Sequence, residues 1–389
     1  KLLPKCTSFD YLLVYLSRSI AEVDFMRVLF VFGVLSVHTI TLYKKLIPAG
    51  TWQHSLMNSF HLSLHFTRMG FMFITGLVLF LNYYHKEIHL LPFWKKRYVT
   101  VGIPYLFWNA AYLLYDVWQQ GSFRWSTFMP NYFWRIVRGD RFYLYYVLVT
   151  FQLYLVFPAL VALLKKFAPY HRQILAVSFV FQLLITVFIK YWLPDLDTSS
   201  WPYLFSHYGV FLLTYQFYFI GGGIVSIHYQ EIGQWIDAHG KLLLSAFLVG
   251  LVLIWSYYPY NFYYLGLTSK ASMSVHQPVV LLYATVVILF VTYLGRSYAR
   301  HRLEPGYRRL NQFLSLASKL SFGIYLTQSA SLTLVAPWVP RLVTNNWLLV
   351  FTLPLAIIVV IAISMGISYI CFKVPVLAPL IGRRTKKKR

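Results

Sequence analysis

Residues 24–40 read DFMRVLFVFGVLSVHTI, an apolar run interrupted by Arg27 near its start and His38 near its end. It belongs to a stretch long enough to cross a membrane as a helix. Arg27 and His38 are eleven residues apart, three helical turns, so both side chains leave one face. At helical rise they stand about 16 Å apart along the axis. A cation near one membrane surface, an imidazole in the opposite half and a shared face describe a pocket that crosses the bilayer.

The rest of the chain has the same character. Of 389 residues, 58% are hydrophobic and only 12% are charged, which excludes an ordinary soluble domain. The expected fold is all-α: one polytopic membrane domain over 1–389, with about ten transmembrane helices. The expected spans are 25–43, 61–82, 99–118, 143–164, 174–192, 207–228, 241–257, 276–295, 316–338 and 347–372. The longest outer loop is near 119–142. Basic residues concentrate in alternate loops, including Lys95–Arg97, Lys165–Lys166, Arg296–Arg309 and Arg383–Arg389. That bias places those loops, and both termini, in the cytoplasm. Residues 1–24 are read as a cytoplasmic or interfacial segment, without a signal-peptide core, and 373–389 as a basic cytoplasmic tail.

The net charge of +24 is spread over these loops, where anionic lipid headgroups attract it. A nucleic-acid partner is not expected. Cys6 and Cys371 both fall on the inner side, so no disulfide is expected. Trp and Tyr at span ends, such as Trp52, Trp118, Tyr258 and Trp347, read as interfacial anchors. The run Gly221–Gly223 reads as a site of close helix packing rather than a cavity-lining break.

Ionisable residues inside spans are costly and are functional candidates. Arg27 could snorkel or pair with Asp24 at i,i+3. His38, about 8 Å below the outer surface, could be a packing histidine or a base. Arg68 in HLSLHFTRMGFMFITG lies about 10 Å deep, too deep to snorkel cheaply. It faces a polar cavity, an anion or carbonyls at a helix bend. His61 and His65 share a face, but no further metal ligands are evident, so interfacial packing is expected and no metal. No acidic residue falls at the centre of a span, which argues against a proton-coupled transporter. Asp116 and Asp140, near the outer side, are the acids at a depth suited to orienting His38; a tyrosine such as Tyr145 could serve instead.

These features together resemble the acyltransferase-3 family of bacterial integral membrane enzymes. The resemblance covers essentially all ten spans. Its most specific part is Arg-x10-His, matched by Arg27 and His38 with Asp24 before them. RMGFMFITG from Arg68 to Gly76 is similar to an arginine, aromatic-rich run and Ser-Gly, with Thr75 for the serine. FWKKRYVTVGIPYLFWN, FYLYYVLVTFQLYLVFP and SFGIYLTQ (Ser321–Gln328) resemble further family segments. Three positions depart: Thr100 stands where an Arg-x-x-Arg pair would end, and Gln328 and Tyr143 stand where many members have histidine. Without an appended soluble domain, the chain looks more like standalone polysaccharide O-acetyl- or O-succinyltransferases.

The resemblance implies transfer of an acetyl, succinyl or similar group from cytoplasmic acyl-CoA to a hydroxyl of an extracytoplasmic or lipid-linked glycan. It implies a bacterial cytoplasmic membrane location and a place beside other proteins of polysaccharide biosynthesis. Arg27, Arg97 and Asp24 are then expected at the donor site, and His38 and Arg68 at the reacting centre. Asp116, Asp140 and Tyr145 are expected on the acceptor side. Export or flipping of a glycan is the competing class. A polyprenyl-sugar glycosyltransferase is a third, disfavoured because residues 44–60 contain no Asp or Glu.

Overall fold

The computed structural model describes residues 8–121, 123–139, 143–342 and 345–383, with only the helical backbone for 8–20. The described residues form helices and turns, with no strand among them. In chain order the helices are α1 (Ser8–Lys44), α2 (Trp52–Ser63), α3 (Phe66–Tyr83), α4 (Leu90–Gln119), α5 (Trp125–Arg138), α6 (Tyr145–Lys166), α7 (His171–Tyr191) and the single turn α8 (Tyr203–Ser206). They continue as α9 (Gln216–Ile227), α10 (Tyr229–Ala238), α11 (Gly240–Pro259), the single turn α12 (Ser269–Ser272), α13 (Pro278–His301), α14 (Arg308–Val335) and α15 (Asn346–Lys373).

Seven helical segments among the described residues are long and apolar enough to cross a membrane: 21–44, 52–83, 145–166, 168–191, 240–264, 278–301 and 346–373. The protein is therefore an all-α, multi-pass membrane bundle. The expected spans 99–118 and 316–338 fall in α4 and α14, which are as long as the seven but carry more polar residues, including Lys95–Arg97 and Arg308, Arg309 and Lys319.

The expected span 207–228 is not one helix. It is helical only from Gln216, after two 3-10 turns at Tyr208–Val210 and Leu212–Tyr215. Side chains satisfy the backbone groups this break releases. Gln152 donates to the Val210 carbonyl at 2.7 Å and accepts from Leu212 N–H at 3.0 Å. Gln182 donates to the Thr214 carbonyl and Tyr215 to that of Gly209, at 2.9 and 3.0 Å.

α1 is the central post, packed against α3, α13, α14 and α15. Phe30, Val31 and Leu35 on it are fully buried. Residues 8–24 extend this helix rather than forming a separate interfacial one. α3 and α9 approach backbone to backbone. A Cβ on Gly76 would sit 2.0 Å from the Phe219 carbonyl oxygen, and one on Gly222 2.0 Å from that of Phe73. The glycine run thus serves close packing. Tyr258, expected as an interfacial anchor, is instead buried and accepts a hydrogen bond from Asn58 at 3.0 Å.

An ion network pins the end of the bundle that holds the start of α1. Arg296 reaches Glu22 at 3.6 Å and Asp237 at 2.9 Å, and Arg300 reaches Asp237 at 2.7 Å. Burial pushes the Asp237 carboxyl up, but the bonds from both arginines outweigh it and hold it below the usual carboxylate value. The last described residues return to this same end, where Arg383 donates to the Lys319 carbonyl.

Candidate active site

A cavity of about 550 Å³ lies between α1, α3, α4, α6, α14 and the turn at residues 381–383. Arg27, Val34 and His38 line it from α1, at i, i+7 and i+11, so the stripe expected from the sequence is a cavity wall. Arg97, Lys319 and Arg383 join Arg27 at one end. Arg68, Tyr143 and Tyr145 join His38 at the other. Five cationic side chains line the cavity, and no acidic residue does among the described residues. In a confined volume of low dielectric such an excess favours an anionic guest.

At the Arg27 end each cation is held differently. Arg27 lies 3.7 Å from Asp24 and donates to Ser318 Oγ at 3.4 Å, while Ser318 itself donates to Asp24. Asp24 therefore sits behind the guanidinium and aims it, rather than forming part of the wall. Arg97 rests among aromatic faces, 5.3 Å from the Tyr83 centroid and 5.8 Å from those of Phe93 and Tyr154. Its Nε is buried without a hydrogen-bond partner. Arg383 follows Gly382, whose φ of 72° lets the chain turn back against Phe322 and the Thr100 carbonyl. Burial lowers the Arg383 guanidinium from its ordinary value, and nearby Asp24 opposes that.

At the His38 end the neighbours are aromatic. The His38 ring, 5% exposed, stacks on Tyr143 with centroids 3.5 Å apart and planes 24° apart. Tyr143 has φ of 63°, in the left-handed region, the sole non-glycine there among the described residues. Its carbonyl accepts a hydrogen bond from the Tyr325 hydroxyl. A bulky residue held in this conformation stores strain, a hallmark of functional sites. Arg68 lies 5.3 Å from the Tyr145 ring centroid. Its electrostatic neighbours are Tyr145, Tyr215, Tyr325 and Tyr143 rather than a carboxylate. Thr75, which replaces a serine, donates to the Phe71 carbonyl at 2.7 Å and faces the Tyr146 hydroxyl at 3.3 Å.

The remaining candidates separate. Asp116 is not on the cavity wall; it pairs with Arg135 of α5 at 2.8 Å, so it does not orient His38. Asp140 lies outside the described residues. Tyr145 lines the cavity beneath Arg68. His61 and His65 are buried outside the cavity, their ring centroids 4.6 Å apart, with His61 Nε2 2.9 Å from Thr41 Oγ1. They are core residues rather than interfacial ones. No group of three or more His, Cys, Asp or Glu gathers as a metal site among the described residues.

Sequence reasoning missed Lys319, Tyr325 and Arg383 as wall residues, and treated Tyr143 as a departure rather than a ring stacked on His38. Arg383 carried one usable signal, the glycine before it. No curated protein and no solved structure matches the chain. A family model described as an acyltransferase domain matches residues 20–371, which include the whole described cavity wall except the turn at 381–383. The chain belongs to the acyltransferase-3 family of membrane acyltransferases.

Proposed function

We propose that this acyltransferase takes an acetyl, succinyl or similar group from cytoplasmic acyl-CoA and delivers it to a hydroxyl of an extracytoplasmic or lipid-linked glycan. The observation that supports this most is the single cavity shared by Arg27, Arg97, Lys319 and Arg383 at one end and His38 and Arg68 at the other. The donor is polyanionic at one end and reactive at the other. Its phosphates suit the cationic end, and its thioester arm runs along the α1 stripe toward His38. The charge bias of the loops supports a cytoplasmic position for the cationic end, and the family resemblance supports a bacterial membrane.

In this mechanism neutral His38 accepts the proton of the glycan hydroxyl. The oxygen attacks the thioester carbonyl, and Arg68 faces the resulting oxyanion. The C–S bond breaks, the ester forms, and the imidazolium returns the proton to the departing thiolate. Tyr143 fixes the imidazole plane by stacking, and among the described residues no carboxylate lines the cavity to do so.

The test is acyl transfer by purified protein in proteoliposomes, with labelled acetyl-CoA as donor and de-acylated surface glycan as acceptor. His38→Ala is expected to lower transfer by about 10²- to 10⁴-fold, the usual contribution of a general base. Wild-type transfer by that variant contradicts the assignment.

A further inference from the structure

A second cavity, of about 430 Å³, opens at the Arg27 end between α1, α13 and α14. Lys319 lines both this cavity and the first. On α1 the second cavity meets Asp24 and Ala21, three and six residues before Arg27, or roughly 5–9 Å farther along the axis. On α14 it takes Asn311, Gln312 and Ser315 up to Lys319, where the first cavity continues through Ser321 to Tyr325. Two helices therefore line both cavities in the same order, the second farther from His38.

The chemistry of the second wall is specific. Arg302 has no carboxylate partner among the described residues, and neither does the Lys319 ammonium. The one acid on the wall, Asp24, is already engaged by Ser318 and Arg27. Asn311 uses its carbonyl to accept from Tyr298 at 2.8 Å, which leaves its amide hydrogens to donate. Tyr298, Leu316 and Phe372 add ring and apolar surface. Uncompensated cations, amide donors and apolar side chains in a few hundred cubic ångströms suit a purine nucleotide that carries phosphate.

We infer that the second cavity binds the nucleotide end of the donor, with Arg302 on the ribose phosphate and Lys319 on the diphosphate as the chain enters the first cavity. This rests on the acyl-CoA assignment above. It adds a subsite that neither the Arg27–His38 stripe nor the family match assigns.

The experiment compares acetyl-CoA with its 3′-dephospho analogue as ligands of the purified protein. The wild type is expected to bind acetyl-CoA at least tenfold more tightly. Arg302→Ala is expected to remove about tenfold of that affinity and to leave the affinity for the analogue unchanged. In a second measurement, Gln312→Cys is labelled with a thiol reagent, and adenosine 3′,5′-bisphosphate is expected to slow the labelling. If the wild type binds acetyl-CoA but Arg302→Ala weakens both ligands equally or neither, or if the bisphosphate gives no protection, the subsite is refuted while the donor assignment stands. If the wild type binds no acetyl-CoA, both fall.

Discussion

Arg27→Gln separates the donor role of Arg27 from its structural one. The guanidinium lies 3.7 Å from Asp24, a raw attraction of about 4 kcal/mol at an effective dielectric near 20. Both side chains are close to a third exposed, 31% and 27%, so solvent screening brings the net contribution down to about 1 kcal/mol or less. Ser318 still donates to Asp24 after the change, so no acid is left without a partner. The melting temperature is therefore expected to fall by a few degrees at most. Donor binding is expected to suffer far more. A charge-assisted hydrogen bond to phosphate is worth about 1.5–3 kcal/mol, which is roughly a 10- to 150-fold rise in the Kd for acyl-CoA. Turnover at saturating donor should stay near wild type, because His38 and Arg68 lie at the far end of the cavity. Titration of labelled acyl-CoA and thermal unfolding, both on one preparation, give the two numbers. A Kd within twofold of wild type in a folded Arg27→Gln sample refutes the reasoning.

Two further outcomes follow from the packing. Tyr143→Gly relieves a left-handed backbone costing about 1–2 kcal/mol but removes the ring stacked on His38, so transfer should drop at least tenfold with little loss of thermal stability, while Tyr143→Phe keeps the ring and most of the activity; equal activity of all three contradicts the positioning role. Gly222→Ala forces a methyl to within 2.0 Å of the Phe73 carbonyl oxygen and should destabilise by about 1–3 kcal/mol as α3 and α9 separate, whereas Gly366→Ala, with nothing within 4 Å, should be neutral or slightly stabilising in the same melt.

The parts of this architecture that depend on local pattern were legible in the sequence. Helical periodicity alone puts Arg27, Val34 and His38 on one face, and apolar length alone marks the seven long spans. Contacts made across the chain left no such trace. Arg383 reads as one more residue of a basic tail until Gly382 turns it into the cavity, and Lys319 lies within the expected span 316–338 with nothing in its own neighbours to say that it meets a cavity. Asp116 has the right depth to orient His38, but its partner, Arg135, comes from α5, a helix hidden in an aromatic loop containing Pro130. The break before α9 is invisible to hydropathy because Leu212 and its neighbours are as apolar as a continuous span. What permits it is the amides of Gln152 and Gln182, supplied by α6 and α7.

The central claim is that one chamber joins a donor on the Arg27 face to an acceptor on the His38 face. Vectorial transfer in proteoliposomes of known orientation tests it most directly. Labelled acyl-CoA is supplied only to the face bearing Arg27 and Arg383, and de-acylated glycan only to the other. Label appearing on the glycan, with free CoA released on the donor face, is the predicted result. Transfer only when both substrates share a face, or glycan movement without CoA release, would contradict it.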